Sequence, residues 1–315
     1  MKTFIRATEV WVPGPDGSVL ELAAGAYGEA VRFGALSQGV RFAYGEGLPG
    51  KCWQEGRPII LKKFENSYFQ RTGAAHADGL TCGIALPIFA GDFLTAVLVI
   101  FCGDDDEHAG AIELWHNAPP LVDMTLADGY YGRTGDTFET VARQVSLRRG
   151  SGLPGLAWQR GGAVFMADLG RGSGFLRADS AQRVGINRGF AFPCSGRGKD
   201  TWIMAFLSAL GTPLVRRFEI WEPDQDSQAS LPRLLRTGGF CEQTGMLADL
   251  LPGQGLDSGQ GSIGKVALTG RPCLSERLAD EAVVGPEATT LGLTLMVAVP
   301  VINAGNLVSV VVWYF

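Results

Sequence analysis

Alternating apolar and polar positions predict a β-hairpin at the start of the chain. TEVWVPGPDGSVLELAAGAYG (residues 8–28) reads as two strands joined by Pro-Gly-Pro-Asp-Gly, a run of turn-forming residues. Phe33 to Ser37 predicts a short helical turn, and Val40 to Tyr44 an alternating strand. A glycine-rich hexad follows, then a brief helix near KCWQEG, the strand PIIL, a helix around FQRTGAAHADG, and a long hairpin, TCGIALPIFAGDFLTAVLVIFCG. This pattern predicts an α+β fold, a mainly antiparallel sheet with short helices gathered on one side.

The same pattern occurs three times. The hexad GEGLPG at Gly45 recurs as GSGLPG at Gly150 and GQGSIG at Gly259, so the glycines 47, 152 and 261 are 105 and 109 residues apart. Glu9-Val10-Trp11, Glu113-Leu114-Trp115 and Glu219-Ile220-Trp221 keep nearly the same step, as do Pro87, Pro193 and Pro300. Phe33 and Phe138 are 105 apart. Landmarks sharing one period imply a triplication, with tandem units at 1–107, 108–213 and 214–315. Residues i and i+2 of a strand share a face, so each Glu lies beside its Trp. These tryptophans are expected either to pack between neighbouring units or across a homodimer, or to lie on an ordinary half-buried face.

The hexad also satisfies G-x-G-x-x-G, a pattern associated with dinucleotide binding. A dinucleotide fold needs a helical crossover between parallel strands. Here the helix stops at Gly56-Arg57-Pro58, too early for such a crossover, so the glycines read as a structural turn.

GEGLPGKCWQEGRPI, the FQRTGAAHADGL helix and the hairpin LTCGIALPIFAGDFLTAVLVIF together resemble the core of a GAF domain, and GSGLPGLAWQRGGAVFMADLG resembles a second. The third unit is similar but degenerate: GQGSIGKVALTGRPCLS lacks Leu-Pro and has Ala267 where Trp53 and Trp158 stand. It is read as a unit that could serve as a cap. GAF domains generally carry long terminal helices, and here only an acidic loop joins the first two units, so the rear of each sheet must be covered by something else. The resemblance implies small-molecule binding or regulated protein association, through a pocket between the sheet and the segments after the hexad. Candidate pocket residues are Tyr44, Trp53, Phe69, Cys82 and Phe101 in the first unit and Trp158, Phe175, Phe190 and Phe192 in the second. Each could equally be plain core. Neither an N-K-x-F-D-type cyclic-nucleotide sequence nor a bilin-attaching Cys-His pair is present.

Charge and chemistry narrow the function further. A net charge of −5 gives no pull toward nucleic acid. No apolar run approaches the roughly 20 residues of a membrane span, and no signal-peptide core precedes the first strand, so a cytoplasmic protein is expected. The six cysteines are widely spaced and read as core thiols. The three histidines, His76, His108 and His116, all fall in the first 116 residues, so no triplicated active site can use them. Asp104, Asp105, Asp106, Glu107, His108 and His116 could face a divalent metal, but a dense acidic run between strands reads as a solvated turn. A free methionine sulfoxide reductase of GAF type is the enzymatic alternative. It would attack through Cys82, yet no resolving cysteine is evident nearby. A purely structural scaffold is another alternative. The expectation is therefore a non-enzymatic module without cofactor that senses an unknown small molecule or a protein partner. The chain begins and ends on strands, so any output is expected to pass through that partner or a homodimer.

Overall fold

The computed structural model describes residues 3–103, 106–170, 172, 174–225, 231, 233–250, 255–281 and 283–315. It divides into two compact units, Met1–Leu214 and Val215–Phe315. The first holds two sheets. One is built from β1 (Ile5–Pro13), β2 (Val19–Ala26), α1 (Val31–Ser37), β3 (Arg41–Ala43), α2 (Gly47–Glu55), β4 (Ile59–Leu61), α3 (Thr72–Ala77), β5 (Leu80–Ala90) and β6 (Phe93–Gly103). The other is built from β7 (Ala109–Asn117), β8 (Asp123–Gly132), α4 (Gly135–Gln144), β9 (Ser146–Arg148), α5 (Gly152–Arg160), β10 (Val164–Met166), α6 (Ala178–Arg183), β11 (Ile186–Cys194) and β12 (Thr201–Ala209). The second unit contains β13 (Arg217–Pro223), β14 (Leu234–Cys241), β15 (Gly245–Met246), α7 (Gly261–Thr269), β16 (Cys273–Ser275), α8 (Gly285–Thr290), β17 (Met296–Asn303) and β18 (Asn306–Tyr314).

Each sheet has six antiparallel strands in one topology: β3-β2-β1-β6-β5-β4, its equivalent β9-β8-β7-β12-β11-β10, and β15-β14-β13-β18-β17-β16. The predicted α+β tandem architecture is thus the observed one. In place of α1 and α4, β14 turns directly into β15 through residues 242–244.

The hexad is a self-closing loop. The first glycine's N–H donates to the sixth glycine's carbonyl in every copy: Gly45 to Gly50 (2.9 Å), Gly150 to Gly155 (2.7 Å) and Gly259 to Gly264 (2.7 Å). The sixth residue must be glycine because a Cβ there would lie 2.1 Å from the Ala43 oxygen, 2.3 Å from Arg148 or 2.4 Å from Asp257. The helix it launches ends on a left-handed glycine, Gly56, Gly161 or Gly270.

The tryptophans correct the inter-unit expectation, and the half-buried one as well. Trp11, Trp115 and Trp221 are each 0% exposed and sit inside the helix-side core of their own repeat. A register shift immediately before each of them, at Val10/Trp11, Leu114/Trp115 and Ile220/Trp221, kinks the strand. Each indole then donates to the carboxylate two residues earlier, at 2.9, 3.0 and 2.8 Å. In the first unit the rear face of each sheet is buried by other means. Ile84, Leu86, Leu98 and Ile100 on one sheet, and Ile112, Leu114, Met204 and Phe206 on the other, are buried, and β5 lies against β11.

A fully buried carboxylate anchors every core. Glu9 accepts from Trp11, from Tyr27 (3.1 Å) and from both terminal nitrogens of Arg71 (2.5 and 2.9 Å). Glu113 accepts from Trp115, Tyr131 (3.1 Å) and Arg177 (2.6 and 2.7 Å). Arg71 and Arg177 occupy equivalent places, just ahead of α3 and α6. In the third repeat Val284 precedes α8 instead, and Glu219 is served by Arg217 (2.9 Å), Arg236 (3.1 Å) and Tyr314 (2.8 Å).

Removing one partner of such a buried pair strands the other's charge. Arg177→Met is expected to lower stability by about 3–5 kcal/mol, and adding Glu113→Leu to restore most of the loss. Denaturant unfolding followed by tryptophan fluorescence checks this, and a single variant as stable as wild type would show that the pair contributes nothing. The hydrogen bond from Arg217 holds Glu287 below its ordinary value of 4.5. The native carboxyl therefore binds fewer protons than the unfolded one, so its contribution is complete above 4.5 and is lost as the pH falls from there through the lower value of the folded state. Unfolding midpoints measured across this acid range are expected to fall less steeply in Glu287→Gln than in wild type.

Candidate functional site

The middle repeat carries a groove of about 370 Å³ between the segment after β10, helix α6 and the start of β11. Its position follows from local bonding. Asp168 Oδ1 accepts from the Gly170 N–H at 2.7 Å, forming an Asx turn, and the Leu169 N–H donates to the Asn187 carbonyl at 2.9 Å. The turn is thereby fastened beside β11. Behind α6 the chain reverses at Gly185, whose carbonyl accepts from the Leu210 N–H at 2.9 Å. Leu169 and Ile186 form a buried floor, Ala178 and Leu210 add apolar walls, and Asp168, Gln182 and Asn187 supply polar groups. The size and this mixture suit a small-molecule site. One atom stands out. Asn187 Oδ1 is buried and accepts no hydrogen bond. At the equivalent position of the other repeats, Thr81 bonds Tyr130 (2.9 Å) and Thr294 bonds the Phe315 carbonyl (3.5 Å).

None of the residues selected from sequence lines this groove. Phe69 and Phe101 are buried with Phe33 in the first helix-side core, where Phe33 lies 4.3 Å from the Arg71 guanidinium carbon and Phe69 and Phe101 lie 5.6 Å from it. Phe175 stands at 5.0 Å from Arg177. These rings wall the buried ion pairs. Trp53 and Trp158 are half-buried on α2 and α5, and the exposed Tyr44 meets Trp53 edge-on at 5.2 Å. Cys82 was expected to face the helix-side pocket, but its neighbour Gly83 is the residue that turns toward Leu48, Phe64 and Phe101, so strand alternation puts Cys82 on the rear face. Its cross-strand neighbour is Cys102, also fully buried. Phe190 and Phe192 likewise share the rear face, stacked on Phe206 at 4.7 and 5.7 Å.

Among the described residues, no His, Cys, Asp and Glu side chains gather in a metal-binding group, and Asp104 and Asp105 lie outside those residues. His116 pairs with Asp200 at 2.8 Å and stacks on Trp202. Among the described residues no helix is long and apolar enough to cross a membrane.

The sequence reading missed Asp168, Gln182 and Asn187. A signal was there: two residues after the edge strands β4, β10 and β16 the repeats carry Lys63, Asp168 and Arg277, so only the middle one is acidic.

No protein-family model matches the sequence, and no curated protein matches it either. Among solved structures the chain is similar to the A. aeolicus nlh2 GAF domain in an inactive state, at 28% identity over 32% of this chain and 59% of that one, with a TM-score of 0.26. It is similar to the GAF domain of a phosphoenolpyruvate-protein phosphotransferase from Coxiella burnetii, at 20% identity over 32% and 58%, TM-score 0.27. A third is the free methionine-R-sulfoxide reductase from Neisseria meningitidis in complex with its substrate, at 15% identity over 31% and 52%, TM-score 0.25. The chain thus spans between 52% and 59% of the length of these three structures.

A buried acceptor without a donor destabilises the fold, by about 1–3 kcal/mol. Asn187→Leu is therefore expected to leave the ligand-free protein as stable as wild type or up to about 1 kcal/mol more stable, read as a melting temperature that does not fall. A clear drop would mean that Asn187 is structural.

Proposed function

We propose that the chain is a non-enzymatic, cytoplasmic regulatory module. It binds a small molecule in the groove of the middle repeat and passes its bound state to a protein partner. The groove itself is the observation that carries this reading, because a buried apolar floor bordered by the polar side chains Asp168, Gln182 and Asn187 suits a small molecule. The GAF resemblance in the sequence points to the same class of role. Binding without turnover is favoured by the state of the thiols. A nucleophilic cysteine needs an accessible thiolate, whereas Cys82 and Cys102 are fully buried. Burial also raises the Cys52 thiol well above its ordinary value, with Glu55 adding to the effect, and pushes Cys194 up to about 12.

Thermal-shift measurements against fractionated cell metabolites test the proposal. At least one fraction is expected to raise the melting temperature of wild type and leave Asn187→Leu unmoved, without consuming the active compound. Equal shifts in both proteins, or thiol-dependent consumption of methionine sulfoxide that Cys82→Ser abolishes, would overturn it.

A further inference from the structure

We infer that the third repeat carries a carboxylate-binding site, which Glu287 fills as a tethered stand-in. It lies apart from the groove of the middle repeat and does not depend on it. The charge balance of the three cores leads there. Among the described residues, Glu9 and Glu113 are each answered by one arginine, Arg71 or Arg177, with both of its terminal nitrogens on the carboxylate. Glu219 is answered by two, Arg217 and Arg236. The third core therefore holds one positive charge more than its buried glutamate neutralises. Glu287 balances it, its Oε2 accepting from Arg217 Nη2 at 2.8 Å. Aligning the buried Ala75, Ala181 and Ala288, which follow directly, puts Ala74 and Ser180 where the third repeat has Glu287. The additional carboxylate goes with the additional arginine.

The planar guanidinium sets what the site takes, because its N–H groups form a fixed fork. Arg217 turns its Nε–Nη2 edge to Glu219 Oε1, at 2.9 and 2.5 Å. The Nη1–Nη2 edge is left for Glu287, which uses only half of it: Nη2 is bonded, and the buried Nη1 has no partner. A carboxylate lying square across that edge bonds both nitrogens, the two-pronged arrangement that arginine favours. The Glu287 side chain is 45% exposed and that of Arg217 1%, so the carboxylate has solvent to turn into and the guanidinium does not. Helix α8 itself is held, because Arg216 donates to the Leu291 and Gly292 carbonyls at 2.9 and 2.7 Å. Only the Glu287 side chain has to move. With it turned out, two arginines face one glutamate, which excludes a cation and calls for one negative charge. Such a charge is carried equally by a free carboxylic acid and by an acidic side chain of a partner. Either must displace a tethered group present at high local concentration, so the site is closed at rest.

The test uses the full chain, isotope-labelled, with sodium acetate as the probe, methylammonium chloride at equal ionic strength as the control, and blocked tripeptides with a central glutamate or glutamine. The Nε–H signal of Arg217, held by Glu219, reports on the guanidinium. Glu287→Gln, an exposed substitution that removes the tethered charge, is expected to bind acetate at least about ten-fold more tightly than wild type. Methylammonium chloride is expected to leave the signal unmoved in both. Adding Arg236→Gln, which removes the surplus charge, is expected to abolish acetate binding; should that double variant fail to fold, the comparison of wild type with Glu287→Gln decides alone. Tighter binding of the glutamate tripeptide than of acetate would place the source in a protein partner, and the reverse would place it in a metabolite; both support the assignment. Equal acetate affinity in wild type and Glu287→Gln, no shift of the Arg217 signal in either, or an equal shift from methylammonium chloride or the glutamine tripeptide would overturn it. None of these results touches the groove, whose occupancy is read from the melting temperatures of wild type and Asn187→Leu.

Discussion

Each repeat is organised around a carboxylate that has been taken out of water and must be completely answered from within. The E-x-W strand delivers it, the bulge turns the indole back to bond it, and a tyrosine and one or two arginines supply the remaining donors. In isolation such a charge is prohibitively expensive to bury, so its donors cannot vary independently. The third repeat shows how strict this requirement is. Its helix-leading arginine is gone, replaced by Val284, and Cys241 stands in place of Tyr27 and Tyr131. Yet Glu219 keeps its full complement, because the arginine has moved to Arg217 and Arg236 and the tyrosine to Tyr314 on β18. The residues change places and the electrostatic requirement is met.

Volume is conserved in the same manner. In the first two repeats a leucine from the hexad helix, Leu48 or Leu153, lies over a glycine of the sheet, Gly83 or Gly189. At the same two positions the third repeat has Ser262 and Met296, so the large residue has passed from helix to sheet. The exchanged serine is not left unsatisfied: its N–H and hydroxyl bond Glu281 at 2.9 and 2.7 Å. A close-packed interior permits such paired exchanges and resists single ones. What reads in the sequence as a degenerate motif is a core repacked in a different arrangement.

The fold was legible because its signals are local and repeated. Alternation, the punctuating glycines and the shared period specified hairpins, short helices and three similar units without any knowledge of what they touch. The partners of long-range pairs were not legible. Nothing near Glu9 marks Arg71 as its counter-ion, 62 positions away, and a tryptophan beside a glutamate reads as a contact between units or as part of a half-buried face until the arginine is known to sit behind it. The site was harder still. Aromatic residues were selected as candidate pocket walls, but Phe69, Phe101 and Phe175 enclose ion pairs and Phe190 packs between sheets. The groove instead depends on where a loop, a short helix and a strand end meet, and its polar groups became conspicuous only by comparing equivalent positions across repeats.

The relocated arginine of the third repeat also bears on how the chain assembles. Bringing Arg71 to Glu9 or Arg177 to Glu113 requires the polypeptide to close loops of 62 and 64 residues before the charges neutralise, whereas Arg217 reaches Glu219 from two positions away on the same strand. Loop-closure entropy grows with the logarithm of that separation, and non-local pairings delay the rate-limiting step of folding. Of the three repeats, the third is therefore the one whose central charge is neutralised most locally. The two earlier repeats must hold an uncompensated glutamate in solvent until the returning chain arrives.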